Sequence, residues 1–453
     1  MIVPLFAFVL FICTFLVHAE PIVPPVSLAP TASTVPTAPL VEPSASARDL
    51  FAANKERLLQ VRVLLASAGE QSSLGSGFLI EDKLGKTPLV VTNYHVISSL
   101  AMEPKKYRIE LRGTNGRTVP AQLMALDVVH DLAVLRIQAT TLTPAAEMPW
   151  HSFALRRDSL PQGAKVFALG NPLELGFLIS EGIYNGMVES RIYEQMLFSG
   201  AINSGMSGGP AIDESSHVVG VNVATRRDGQ ALSFLVPVQY VRELLKKAQQ
   251  VTKTAPPIEW RSEISRQLHA HQDFVATKVQ GVTGFSSQTL AGRKVPTLSG
   301  SLTKCWAKGS EGESVRFQSD KLECQLHSDL FVKQGFYTGS MHLQHELTRN
   351  EKLTTVQFLN MADRQFSIDR PFRSGRELTH RKCHGQYVQG ASHVYRVAVC
   401  LEAYRKFEDL YKLHLTALQV DDPRERLQSS IILDGFSFTN ANRISTEFLG
   451  LLQ

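Results

Sequence analysis

Cysteine is scarce: five occur in 453 residues, and no two are spaced as a CxxC pair. The usual ligand spacing of a structural zinc site is therefore missing. Basic runs are missing too. The net charge of +5 is unevenly placed, residues 251–453 holding about 26 Lys/Arg against 21 Asp/Glu while the first part roughly balances, but this mild bias forms no run, so nucleic acid is not an expected partner. There is no HExxH or HxxEH. The nearest approach, His342-Leu343-Gln344-His345-Glu346, is neither, and its histidines read as strand or surface residues. His269 and His271 read the same way. No metal and no cofactor is expected. Beyond the first 17 residues no apolar run reaches the ~20 residues that a bilayer span needs.

No Lys or Arg precedes Arg48. From Ile2 to Val17 the chain is apolar or uncharged, and Val17-His18-Ala19 fits a signal-peptidase site. Residues 1–19 are thus expected to be a signal peptide, and the protein to be exported, periplasmic or secreted; an uncleaved anchor is the alternative. Residues 20–47, rich in Pro and Ala, read as a tether. Four cysteines remain: Cys305, Cys324, Cys383 and Cys400. An even count in an exported chain suggests two disulfides. Three pairings are open. Cys305–Cys324 and Cys383–Cys400 are favoured because neighbouring strands can close short separations.

The rest divides by pattern. Residues 48–248 open with a predicted helix, Ala47–Leu59. Many short strand signals follow, among them 61–66, 75–80, 89–92, 107–111, 121–126, 132–137, 165–169, 182–188, 195–198, 218–224 and 232–236. Near-regular short strands broken by Gly and Pro predict an all-β sandwich or barrel. Val241–Ala248 reads as a closing helix. Residues 249–262 read as a linker, and 263–453 as a separate β-rich, disulfide-containing domain of unassigned fold. In it Arg261–Ala276 is a predicted helix, and 315–318, 354–359, 392–400 and 412–418 are predicted strands. Trp306, Phe317, Phe336 and Tyr395 are expected in its core.

Three segments of the first domain carry chemistry in the order His, Asp, Ser. Thr92-Asn93-Tyr94-His95-Val96 follows an apolar strand. Asp131-Leu132-Ala133-Val134-Leu135 opens another. Gly205-Met206-Ser207-Gly208-Gly209-Pro210 is a serine in a glycine-rich turn. A serine hydroxyl needs an adjacent base to become a nucleophile. Histidine can take that proton and return it, and a carboxylate orients the imidazole. The glycines let backbone amides turn inward, so the N–H groups of Gly205 and Ser207 are the candidate oxyanion hole. Singly, each segment is as well read as a structural histidine, a strand terminus or a turn. The ordered set makes His95, Asp131 and Ser207 the candidate triad.

From about Gly75 to Leu245 the chain resembles trypsin-like proteases of the HtrA/DegP type. The resemblance rests on Gly75-Ser76-Gly77-Phe78, the His95 and Asp131 segments, Leu169-Gly170-Asn171-Pro172, Ala201-Ile202-Asn203, Ser207-Gly208-Gly209-Pro210, Val219-Gly220-Val221-Asn222 and Phe234-Leu235-Val236-Pro237-Val238. It implies two perpendicular six-stranded barrels with the triad between them, and it implies catalytic roles for the three residues. It also implies polypeptide substrates, including misfolded exported proteins, and leaves room for a homo-oligomer. Two positions depart: Met206 stands where the family usually has Asn, and Ser204 where it usually has Pro. No convincing PDZ pattern occurs in 263–453.

In this fold the residue six before the nucleophile lies at the base of the S1 pocket. Here it is Ala201, not an acid. A pocket near Ala201, Ile202, Asn222 and Ala224 predicts small or medium aliphatic P1 residues. No Arg/Lys-Ile-Val-Gly-Gly activation sequence occurs. The expectation is a serine endopeptidase working through an acyl-enzyme. Its rivals are a non-catalytic, chaperone-like binder that keeps the shape, an esterase using the same triad, and a protease that acts on its own chain.

Overall fold

Strand β1 (Leu58–Leu65) begins a closed barrel with β2 (Gln71–Ile80), β3 (Leu89–Thr92), β4 (Tyr107–Gly113), β5 (Thr118–Asp127) and β6 (Leu132–Ile137), ordered β1-β2-β3-β6-β5-β4. This computed structural model describes residues 44–453 except 82–87, 139–150, 172–175, 189–191, 224–232, 251–257, 280–283, 301–302, 311–315, 327, 367–374, 391 and 453. The expected signal peptide, most of the expected tether and Ala224 lie outside the described residues. Helix α1 (Ala45–Asn54) precedes the barrel; Ser44 caps it by accepting the Ala47 N–H at 3.1 Å. Helix α2 (Tyr94–Met102) follows β3.

A second barrel follows. Its strands are β7 (Ala154–Leu155), β8 (Lys165–Gly170), β9 (Leu178–Met187), β10 (Met196–Phe198), β11 (Pro210–Ile212), β12 (His217–Asn222) and β13 (Ser233–Pro237). The order β11-β8-β9-β10-β13-β12 closes through β11–β12, and β7 adds to β12 in parallel. The predicted double six-stranded barrel is present. Closure removes free edges, which suits short strands rich in Val, Leu and Gly. Helix α3 (Val238–Gln250) packs Val241, Leu244 and Leu245 into a core shared by both barrels.

The C-terminal region contains helix α4 (Trp260–Lys278), hairpin β14 (Phe285–Leu290) with β15 (Arg293–Leu298), and a seven-stranded antiparallel sheet. Its strands are β16 (Thr303–Gly309), β17 (Phe317–Leu326), β20 (Ser340–Asn350), β21 (Lys382–Gln389), β22 (Val394–Ala403), β23 (Tyr411–Gln419) and β24 (Glu425–Phe436), ordered β16-β17-β20-β24-β23-β22-β21. A small hairpin, β18 (Leu330–Lys333) and β19 (Phe336–Thr338), leaves the sheet between β17 and β20. Helices α5 (Thr355–Gln365) and α6 (Phe438–Gly450) complete the region.

One sheet face is apolar. Val275 and Ala276 of α4 and Ala441, Ile444 and Phe448 of α6 share a core with Leu343, Leu347, Leu415, Ile431 and Leu433. Period-two alternation sends His342, Gln344, Ser430, Ile432 and His414 to the other face. The disulfides are those favoured from the sequence. Cys305 and Cys324 stand opposite one another on β16 and β17, with S–S 2.06 Å; Cys383 and Cys400 do so on β21 and β22, with S–S 2.07 Å. Each bond staples an edge strand to its neighbour.

Two expectations need correction. Residues 354–359 are not a strand: 355–365 is helical. Thr354 and Gln357 form a reciprocal capping box, with the Gln357 N–H donating to Thr354 Oγ1 (3.3 Å) and the Thr354 N–H to Gln357 Oε1 (3.0 Å). Trp306 is not in the core but 53% exposed. Alternation along edge strand β16 turns it away from the face that carries Cys305. Phe336 and Tyr395 are buried as expected.

Residues 44–453 form one compact unit, and α4 runs across both parts of it. Ile264 and Leu268, near its start, are buried in the first barrel's core with Leu330, Val332, Phe336 and Phe407 of the C-terminal region. Val275 and Ala276, farther along, belong to the sheet's core. Burying an aliphatic side chain of this size is worth about 1.5–3 kcal/mol, so α4 binds the two regions firmly.

Candidate active site

His95 lies in the first turn of α2, with Asn93 as N-cap residue. Asp131 precedes β6 and has a left-handed backbone, φ 55°, a conformation Asp tolerates better than most residues. That turn is held from both sides. The Asp131 carbonyl accepts the Asn93 side-chain amide at 2.7 Å and the Tyr94 N–H at 3.2 Å. Both carboxylate oxygens are then committed to His95: Oδ2 lies 2.6 Å from Nδ1, and Oδ1 accepts the His95 backbone N–H at 2.8 Å. The imidazole is thereby fixed, with Nδ1 toward the carboxylate and Nε2 free to face the cleft.

Burial pushes the His95 pKa down. The Asp131 charge and hydrogen bond outweigh this and hold it above the ordinary imidazole value. The raised value makes the neutral imidazole a stronger acceptor for the serine proton.

Ser207 is buried in the turn between β10 and β11. Ser76 builds this turn. Its hydroxyl donates to the Gly205 carbonyl at 2.7 Å and accepts the Asn171 N–H at 2.8 Å. Its backbone N–H donates to the Ser207 carbonyl at 2.8 Å. The Ser76 carbonyl accepts the Thr92 hydroxyl at 2.7 Å. One residue of the first barrel therefore touches the loops of both candidate groups. Gly208 shows how closely these loops approach. It has φ +86°, and a Cβ there would meet Ser76 O at 2.3 Å, Thr92 Oγ1 at 2.4 Å and the Asn93 N at 2.9 Å. No hydrogen bond joins Ser207 Oγ to His95 among the described residues.

Gly205 has φ +93°. Its carbonyl is bound by Ser76, while its amide and that of Ser207 meet no acceptor among the described residues. Met206 between them is fully buried among Val166, Ala168, Phe198, Ile202 and Leu235 in the second barrel's core. Its backbone N–H donates to Asn203 O and its carbonyl accepts the Gly209 N–H, both at 3.0 Å. Where the resembled family usually has Asn, an apolar anchor pins the loop. Ser204 is exposed.

Of the residues expected around S1, Ala201 is exposed. Ile202 is 3% exposed and sits in the barrel core. Asn222 is fully buried, its side-chain amide donating to Leu169 O at 2.8 Å, and its carbonyl accepting the Gly208 N–H at 3.0 Å. No group of three or more metal-ligating side chains is gathered among the described residues.

Sequence reasoning missed the supports. Ser76 lies within a motif of the sequence, but its four bonds have no local signature. Gln267 of α4 is nearly buried against the turn before Asp131. Its Oε1 accepts the Val128 N–H at 2.7 Å, and its Nε2 donates to Leu126 O at 2.9 Å. Beside it, Asp127 holds His130 Nδ1 at 2.8 Å and the His130 N–H at 3.0 Å. The His130 ring stacks on Tyr240 at 3.6 Å. Tyr193 stands edge-on to His130, and its hydroxyl is 2.7 Å from His271 Nδ1 on α4.

Residues 75–221 match the family model described as a trypsin-like peptidase domain. Serine protease HTRA2, mitochondrial, of Drosophila grimshawi is 31% identical over 185 residues, covering 39% of each chain. The Drosophila erecta protein of the same name is 30% identical over 190 residues, covering 40% of this chain and 41% of its own. The chain thus spans about two fifths of the length of these curated relatives. Among solved structures, a serine endoprotease from Yersinia pestis is 25% identical with a TM-score of 0.38, covering 46% of this chain and 68% of its own. Deg5 is 26% identical with a TM-score of 0.36, covering 44% and 91%. Residues 75–221 are thus similar to trypsin-like peptidase domains, and HtrA-type serine proteases are among the chain's relatives.

Proposed function

We propose that this chain is a serine endopeptidase that hydrolyses peptide bonds through an acyl-enzyme. The observation that carries the reading is the two-point grip of Asp131 on His95, beside a glycine-rich serine turn in which the amides of Gly205 and Ser207 meet no acceptor among the described residues. Ser207 Oγ attacks the substrate carbonyl carbon and passes its proton to His95 Nε2. The carbonyl oxygen becomes an oxyanion held by the amides of Gly205 and Ser207, each donor of this kind being worth about 3 kcal/mol. Collapse breaks the C–N bond as His95 returns the proton to the departing amine. Water then repeats the sequence on the ester and frees Ser207. Asp131 orients His95 and stabilises its protonated form without taking the proton.

Ala201, with no acid at that position, supports a preference for small or medium aliphatic P1 residues. The resemblance supports polypeptide substrates, misfolded exported proteins among them. The apolar segment 2–17 and the two disulfides support export to an oxidising compartment. The departure at Met206 gives no support to a non-catalytic binder, because that methionine is sunk in the second barrel's core.

The deciding experiment is fluorophosphonate labelling of the wild type beside Ser207→Ala, with casein cleavage in parallel. Labelling and cleavage should both vanish in the variant. A wild type that neither labels nor cleaves, even with an unfolded protein added, would overturn the reading.

A further inference from the structure

The β18–β19 hairpin belongs to the C-terminal region yet lies on α2 of the first barrel. Leu330 and Val332 point into that barrel's core, and the Tyr94 hydroxyl donates to the Val332 carbonyl at 2.6 Å. Phe331 between them packs at the edge of the same core. There it is half-buried, and its ring meets two rings of α2 edge-on: Tyr94 at 6.3 Å between centroids and His95 at 5.9 Å. Tyr337 of β19, 59% exposed, stands edge-on to Phe331 at 5.5 Å. One aromatic ring from the C-terminal region thus lies edge-on to the imidazole, and the exposed Tyr337 ring lies edge-on to that ring.

This position has a consequence for substrate. An imidazole that takes the Ser207 proton and returns it to the leaving amine must sit within hydrogen-bond reach of the scissile bond. Side chains of the residues next to that bond pass within a few ångström of the ring. A phenyl group centred 5.9 Å from the imidazole is then within van der Waals reach of one of them. Phe331 makes no polar contact, and neither ring is fully covered, so each can still bury surface against a ligand.

We propose that Phe331, braced by Tyr337, forms an apolar wall of the substrate cleft beside His95. It selects polypeptides with an aliphatic or aromatic side chain next to the scissile bond. The C-terminal region is then part of the substrate site as well as a neighbour of it. The inference rests on the triad reading above.

The test uses the full chain. Wild type, Phe331→Ala, Phe331→Leu and Tyr337→Ala are compared on peptides that vary one position at a time on either side of the scissile bond, with kcat and KM measured separately. Fluorophosphonate labelling of the wild type and Ser207→Ala runs beside them. At one position next to the bond, Phe331→Ala should reduce the preference for apolar over polar residues by roughly tenfold, chiefly through KM. Tyr337→Ala, at an exposed position, should move the same preference in the same direction by less, and Phe331→Leu should keep most of it. An unchanged profile in Phe331→Ala and Tyr337→Ala would overturn the proposal. So would a kcat that falls equally for every peptide, because the ring would then only steady His95. Failure of the wild type to label would sink the triad reading and this one with it, whereas labelling with an unchanged profile would sink this one alone.

Discussion

Gln267 and Val128 lie 139 positions apart in sequence and are joined by a 2.7 Å hydrogen bond from the Val128 amide to the Gln267 side-chain oxygen. The same side chain donates to Leu126 O and to Glu263 Oε1. It therefore satisfies both backbone groups that the end of β5 would otherwise bury unpaired, three residues before Asp131.

From this follows the first prediction. Gln267→Leu leaves the Val128 N–H and Leu126 C=O without partners, at about 1–3 kcal/mol for each buried group. Urea unfolding should show a loss of about 2–6 kcal/mol. Peptide kcat should also fall, since the turn that presents Asp131 loosens. A stability loss with kcat unchanged would mean that the turn carries nothing from α4 to the triad.

The acid limb of kcat/KM tests the His95–Asp131 pair. The working base is the neutral imidazole, and Asp131 holds the His95 pKa above its ordinary value. Activity should therefore fade as pH drops through a midpoint above ~6.5, the unperturbed imidazole value. Asp131→Asn removes the charge that raises it. The midpoint should then move to lower pH while the rate plateau drops by roughly 10³–10⁴-fold. A midpoint that stays put in the variant would show that another group governs the limb.

A pair of glycine substitutions separates backbone strain from crowding. Gly208 and Gly292 both have positive φ, +86° and +92°. A Cβ at Gly292 has nothing within 4 Å, whereas at Gly208 it would strike Ser76 O at 2.3 Å. Gly292→Ala should cost about 1–2 kcal/mol and leave cleavage intact. Gly208→Ala should abolish fluorophosphonate labelling, because the loops of Ser207 and His95 can no longer meet. Normal labelling of Gly208→Ala would refute the packing described for this turn.

What was readable in the sequence was local. Short apolar strands punctuated by Gly and Pro announced the barrels, and the cysteine separations of 19 and 17 residues suited neighbouring strands. The three catalytic candidates stood out because each kept its own short context. What was unreadable depended on distant partners or on weak local competition. Thr354–Leu359 has β-branched and aromatic residues, yet its capping box and its packing made it a helix. Trp306 reads as core by type, but an edge strand gave it no second layer to enter. Phe331 and Gln267 meet the peptidase domain across more than a hundred residues, and no periodicity reports such a contact. The C-terminal region reads as a domain apart because residues 249–262 read as a linker. The apolar positions Ile264, Leu330 and Val332 carry no mark of which core they enter.

Acid should weaken the fold in a window set by buried histidines. His345 is fully buried on β20, its Nε2 2.7 Å from Pro296 O and its Nδ1 2.8 Å from Ser429 Oγ. Burial lowers its pKa to about 4, and burial does the same to His271 on α4. Each folded-state value lies below that of the unfolded chain, so between pH ~6.5 and ~4 the unfolded state binds more protons. Stability is therefore complete above ~6.5 and declines as pH falls through this window, by up to about 1.4 kcal/mol per pH unit for each histidine. Asp127 and Glu263 are held below their ordinary values, so they begin to contribute only at the acid end. Urea unfolding at pH 7, 6 and 5 should show this slope, and His345→Gln, although less stable at pH 7, should show a shallower one. An equal slope in the variant would mean that His345 is protonated in the folded protein, in conflict with its burial between Pro296 and Ser429.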